Sequence, residues 1–349
     1  MRKIVFLGFF VMLSGIIVLN SCKKVSSDDE EKEKKLTKLE QAKKDYEDHY
    51  IGTKVSSISW TGNEAACNSG DVSSSTRKKV VERVNYYRAL CGLPSVKLNS
   101  TQNKSCQDAA LNMMANDRLS HTPANTSKCY TPGAYAAAST GNIAIGWGSA
   151  EDKANHSINA VSGYMEDPGA HNKIVGHRAW LLARNLSEIG TGSVYDANHA
   201  YTAPNGYTYH KGAANCIRWG DNRNGSSTAG PEFIAYPAAD YMPSTLIFDR
   251  WHFALPNANF NAAKVSLKDA NGKTYVCNVI ARETQGGGLE ARIVWEPKNL
   301  SIASDINFTV TVSNISGTSE SSYTYTVKVF KVQGVARKSE SQEGKMLIL

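Results

Sequence analysis

Apolar positions recur with a helical period through the first two thirds of the chain and with period two in the last third. Val80, Val84, Tyr87 and Cys91 fall at i, i+4, i+7 and i+11, which predicts a helix from about Ser75 that Gly92 and Pro94 end. A second helix over 102–119 turns Leu111, Met114, Ala115 and Leu119 inward and leaves His121 just past its end, before Pro123. A third, over 153–165, carries Glu166 and Asp167 to the turn Pro168-Gly169. A fourth, over 172–183, puts His177 on one face with Trp180 and Leu181. Gly190 and Gly192 then open a short strand over 191–195, where the missing side chains let another backbone come close.

Beyond residue 243 the period changes. Phe308, Val310 and Val312 alternate with polar residues, as do Tyr323, Tyr325, Val327 and Val329, and Asn271-Gly272 is a hairpin turn signal. These features predict a small antiparallel, immunoglobulin-like β-sandwich over 243–331, followed by a tail over 332–349. Helices followed by strands give an α+β chain.

The N-terminus reads differently. Arg2 and Lys3 precede an apolar stretch, residues 4–19, too short for a comfortable membrane span, so residues 1–22 read as a secretion signal. Its end, Leu19-Asn20-Ser21-Cys22, resembles a bacterial lipobox, in which Cys22 is acylated. Partnership with a membrane through that anchor is the expectation, at the cell envelope and on its outer membrane or surface. Residues 23–74 are expected to be a polar tether and linker. Within them Leu36, Leu39, Lys43 and Tyr46 share one face of a short, mostly solvated helix.

Charge and cysteine content narrow the classes. The formal charge of +7 falls to +5 without Arg2 and Lys3, and no dense Lys/Arg stripe occurs, so no nucleic-acid partner is expected. Apart from Cys22, six cysteines remain: Cys67, Cys91, Cys106, Cys129, Cys216 and Cys277. An even number in an exported chain predicts disulfides, with Cys91–Cys106 the first candidate because the two flank a short helix–helix connection. No CxxC pair occurs, which argues against a thiolate zinc site. His171 and His177 are too far apart for an HExxH pair, and no GxSxG elbow is present.

Four short motifs in order, Asn85-Tyr86-Tyr87-Arg88, Leu119-Ser120-His121, Gly141-Asn142-Ile143-Ala144 and Gly176-His177-Arg178 with Ile189-Gly190-Thr191-Gly192, resemble those of bacterial members of the CAP superfamily (cysteine-rich secretory proteins, antigen 5, pathogenesis-related proteins). The resemblance covers about half the chain and implies an α-β-α sandwich over 75–242. It also implies a shared cavity of two histidines and two acids. His121 and His177 match the histidines, Asp167 is the better match for one acid with Glu166 the alternative, and Asn142 sits beside the other acid position. That position is Gly141, so one acid is lost.

Two imidazoles and a carboxylate suit a divalent cation, zinc first, with His121 and His177 as ligands. The leading expectation is a ligand-binding or structural module of the cell envelope, taking a small-molecule, lipid, peptide or glycan ligand in a His-lined groove. A metal-dependent hydrolase of peptide or envelope polymer is the alternative, and adhesion through the C-terminal sandwich is a third. The missing acid favours the first.

Overall fold

The computed structural model describes residues 35–147, 156–204, 206–219, 230–333 and 347–348. Cys22 and the secretion signal lie outside them, and Thr37–Leu349 forms one compact unit. No described helix is long and apolar enough to cross a membrane.

The first sheet takes its order from one long hairpin. Strands β1 (Lys97–Leu98), β2 (Gly141–Gly146), β3 (Glu188–Thr202) and β4 (Thr208–Trp219) are joined by β14 (Leu347–Ile348) in the order β1-β3-β4-β2-β14. All pairs are antiparallel except β1 with β3. The β14 pairing places two residues of the expected tail on the edge of β2.

Side chains alternate across this sheet and fill two cores. Ile143, Ile145, Val194, Ala214 and Cys216 pack under α3 (Ser100–Ala115) and α4 (Pro132–Ser139). Ala144, Ile189 and Ile217 pack under α2 (Ser74–Leu90), α5 (His156–Glu166) and α6 (Gly176–Leu181). The face predicted for α2 is the buried one, with Val80, Val84, Tyr87 and Cys91 all in the core. Gly92, at φ +69°, ends it, and the amides of Gly92 and Leu93 donate back to Ala89 and Arg88.

The period-two segment forms two further sheets together with residues 234–243, which were expected to close the preceding domain. One has the order β10 (Cys277–Glu283), β11 (Ala291–Pro297), β7 (Trp251–Leu255), β5 (Ile234–Tyr236). The other runs β6 (Tyr241–Pro243), β13 (Ser322–Phe330), β12 (Ile306–Ser313), β8 (Lys264–Asp269), β9 (Thr274–Tyr275). They meet face to face where Trp251 contacts Phe308 and Phe253 contacts Tyr323 and Tyr325.

Three expectations are corrected. The segment read as a solvated tether contains α1 (Lys38–His49), capped by Thr37 and Glu40. Its Tyr46 is buried against Tyr50, Tyr86 and Phe330, because one aromatic ring at helical spacing finds an apolar seat even among charged neighbours. Cys91 and Cys106 do not pair: they lie in the cores on opposite faces of the first sheet. The disulfide present is Cys67–Cys129, with Cα atoms 5.0 Å apart. Finally, the fourth helix is shorter than its period suggested, starting only at Gly176 after a left-handed Val175.

Candidate functional site

The segment 165–178 carries two of the predicted site residues and is bent to bring them together. α5 ends at Glu166, and Asp167 takes a left-handed backbone, φ +56°, that L-residues seldom adopt. This turns its fully buried carboxylate back toward the first turn of α6. Oδ1 accepts a hydrogen bond from His177 Nδ1 at 2.7 Å, and Oδ2 accepts one from the backbone amide of Arg178 at 3.3 Å. A carboxylate only accepts, so the His177 proton sits on Nδ1 and Nε2 is the basic atom.

The walls of the His177 site come from the sheet and α5. The Tyr164 ring stacks on the His177 ring, with centroids 5.8 Å apart. Its hydroxyl lies 3.0 Å from Asn215 Oδ1 and 3.1 Å from the carbonyl of Asn142. Asn142 donates from Nδ2 to the carbonyl of His177 at 3.1 Å. Burial pushes the Tyr164 hydroxyl well above its ordinary pKa, so it stays a neutral donor.

His121 is placed otherwise. It is exposed, beyond α3, and its Nδ1 donates to the carbonyl of Ala138 at the end of α4, 2.6 Å away. A carbonyl likewise forces the proton onto Nδ1, so both histidines keep Nε2 as the basic atom. The backbone carbonyl of Glu166 accepts from Arg178 at 3.1 Å. Among the described residues no group of three or more His, Cys, Asp or Glu gathers as a metal site.

Gly141 has no room for the absent acid. A Cβ there would lie 2.7 Å from the carbonyl oxygen of Ala137 and 2.9 Å from that of Ile217. Strand alternation turns position 141 toward α4 and Asn142 toward His177. Trp219, Tyr236 and the pair Tyr207–Tyr209 lie in three different places. Trp219 stacks on Trp180 at 4.2 Å, Tyr236 is core, and Tyr207 with Tyr209 sits at the far end of the β3–β4 hairpin.

Residues 81–219 match the model of the cysteine-rich secretory protein family, CAP. The chain contains a CAP domain. No curated protein matches the chain. CAP proteins are typically secreted and bind small ligands or lipids. Within the domain, the Asn85 and Arg88 motif is structural. Asn85 exchanges two hydrogen bonds with the backbone of Val96, and buried Arg88 donates to the carbonyls of Pro94, Leu181, Ala183 and Leu186.

Sequence reading missed what fastens the CAP domain's site segment. The fully buried Arg178 donates to the carbonyls of Met165, Glu166 and Arg250, and Arg250 donates to that of Asp167 at 2.7 Å. Arg292, on β11, donates to the carbonyl of Ile174 at 2.8 Å. His252, beside Arg178, is held neutral, its pKa driven well below the ordinary value by burial and then by Arg178 and Arg292. None of these contacts has a local sequence signal, since each joins residues far apart in the chain.

A second titratable cluster lies on the other side of the domain. His199, on β3, has Nδ1 2.7 Å from Glu64 Oε2 and Nε2 2.7 Å from Asp117 Oδ1. Both ring nitrogens must donate, so the ring is an imidazolium. Lys128 reaches Glu64 at 2.8 Å, and the indole of Trp147 donates to Asp117 at 2.9 Å. The trio lines a cavity of about 720 Å³ that Asp196 also borders.

Proposed function

We propose that the CAP domain is the ligand-binding module of an exported envelope protein, and that it takes its ligand at the basic Nε2 of His177. The observation that carries this is the buried Asp167–His177 pair. A carboxylate held in a left-handed turn, with both oxygens engaged, fixes one imidazole's tautomer and orientation at the start of α6. A base so prepared accepts a hydrogen bond from a hydroxyl or amide of a small-molecule, lipid, peptide or glycan ligand. Binding is favoured over hydrolysis by the packing at Gly141, where the family's second acid would collide with two carbonyl oxygens.

The same tautomers suit zinc, because a ligating imidazole ordinarily gives its other nitrogen to a carboxylate or carbonyl. His121 does this with Ala138 and His177 with Asp167. Asp167 already serves His177 and Arg178, so in this reading it orients a ligand rather than binding the metal. With two protein ligands the affinity is modest, and it weakens in acid, because ligation needs the neutral ring.

Calorimetric zinc titration of the protein and of its His121→Ala/His177→Ala variant tests the reading. The signal is expected to disappear in the variant. Equal binding by both removes the metal. Anchoring at Cys22 belongs to the same proposal: labelled fatty acid is expected on the wild-type chain and not on Cys22→Ala, and unchanged labelling refutes the anchor.

A further inference from the structure

Among the described residues four cysteines remain as thiols beside Cys67–Cys129: Cys91, Cys106, Cys216 and Cys277. Cys91 lies in the core beyond the opposite face of the sheet, and half-buried Cys277 donates to the carbonyl of Tyr275. Cys106 and Cys216 differ from both. They are fully buried in the same core, one on α3 and one on β4, close enough that Cys106 acts on the Cys216 thiol, which itself donates to the carbonyl of Ala137 at 3.8 Å.

The reason for this closeness is Gly192. It lies directly opposite Cys216 in the β3–β4 register. A Cβ on Gly192 would come within 2.2 Å of the carbonyl carbon of Cys106 and 2.1 Å of the amide nitrogen of Gln107. The helix backbone therefore rests on the strand backbone at this point. Gln107 fastens it there, donating to the carbonyl of Ser193 at 2.7 Å and accepting from the Ser193 amide at 3.1 Å. A disulfide asks for Cα atoms roughly 4.4–6.8 Å apart, closer than helix-on-sheet packing ordinarily allows. An approach of this kind needs a glycine under the helix, and Gly192 supplies it.

We infer that Cys106 and Cys216 close as a second disulfide, stapling α3 to β4, when the chain folds in an oxidising compartment. The step is a thiol–disulfide exchange. One thiolate attacks a disulfide-bearing oxidant, and the other thiolate then displaces the oxidant's sulfur. The Sγ–Sγ bond forms, the oxidant's own S–S bond breaks, and the oxidant leaves as a dithiol carrying the two electrons and the two thiol protons. Cys67–Cys129 marks a chain that meets such an oxidant.

Timing follows from burial. Both thiols are out of solvent, and burial pushes the Cys216 thiol well above its ordinary range, with the neighbouring Cys106 adding to the effect. A thiol held protonated and shielded does not exchange. The bond therefore closes before α3 seats on the sheet, and once closed it is out of reach of soluble reductants.

The experiment is disulfide mapping of the full chain, refolded from the reduced, denatured state in a glutathione redox buffer. The refolded chain is denatured without reductant, alkylated, digested and read by mass spectrometry, with Cys67–Cys129 as internal control. A Cys106–Cys216 linked peptide is expected, two hydrogens lighter than the separate thiol peptides, with Cys91 and Cys277 alkylated. Cys106→Ala and Cys216→Ala are each expected to expose the other cysteine to alkylation. Recovery of Cys106 and Cys216 both alkylated in wild type, or either linked to a different cysteine, overturns the inference. The wild-type map decides even if a variant fails to fold.

Discussion

The conformation of single residues does most to define the site. Asp167 accepts a strained backbone so that its carboxylate can face His177, and Gly141 is small because two carbonyl oxygens leave it no room. From the motif alone, Gly141 reads as an acid lost from a cavity. The structure adds that no side chain fits there, so restoring the acid means moving backbone. Gly141→Ala is expected to destabilise the protein by about 1–3 kcal/mol, the range for overpacking a filled core. Gly141→Glu is expected to cost more and to leave zinc binding no tighter. Chemical denaturation and calorimetry read the two effects, and an undiminished stability in Gly141→Glu would show that the strand adapts. His177 and Asp167 were legible because their motif is local. The seat of His121 on Ala138 was not, since a loop residue after a helix has no period to say which carbonyl it meets.

Among the elements, the helices and period-two strands were readable wherever one face is buried, as in α2, β12 and β13. A close approach to β3 was readable too, because Gly190 and Gly192 announce it, but not that α3 is the partner, through Gln102, Cys106 and Gln107. The link between the 60–71 loop, the end of α3 and β3 was not. It rests on Glu64, Asp117 and His199, which lie far apart in polar segments without periodicity. That cluster carries a pH dependence. Burial lowers the His199 pKa, but hydrogen bonds to Asp117 and Glu64 outweigh it and hold the ring above its ordinary value. Glu64 shifts the other way: burial raises its pKa, and Lys128 and His199 together outweigh that and lower it, so it stays ionised where His199 titrates. A raised folded-state pKa gives stability that is complete below about 6.5 and is lost as pH rises through the folded value. His199→Gln, which keeps donors but no charge, is therefore expected to melt about 2–4 °C below wild type at pH 6, for about 1 kcal/mol of partly screened ion pairing. That gap should narrow at alkaline pH. Melting curves across pH check it, and a gap that stays constant would remove the charge from the explanation.

At the scale of the whole molecule, α1 is part of the folded body and not a leash. Tyr46 touches Tyr86 on α2 and Phe330 on β13, and its hydroxyl lies 3.0 Å from Thr245 Oγ1. Tyr46→Ala is expected to cost about 3–5 kcal/mol, as for other buried aromatic rings. A solvated helix would lose nothing, so a denaturant midpoint equal to wild type would refute this packing. Its charged surroundings disguised the segment as a tether, since a few apolar residues among many Lys and Glu barely change the local composition. The guanidinium contacts around 165–178 have a different kind of consequence. Arg250 and Arg292 come from the strands and loops beyond the CAP domain, yet they hold the carbonyls of Asp167 and Ile174. The recognition loop is therefore not a portable cassette. Transplanted or expressed with the CAP segment alone, it would leave those carbonyls to water and let its two left-handed residues relax, and the histidine would lose its aim before losing any neighbour of its own.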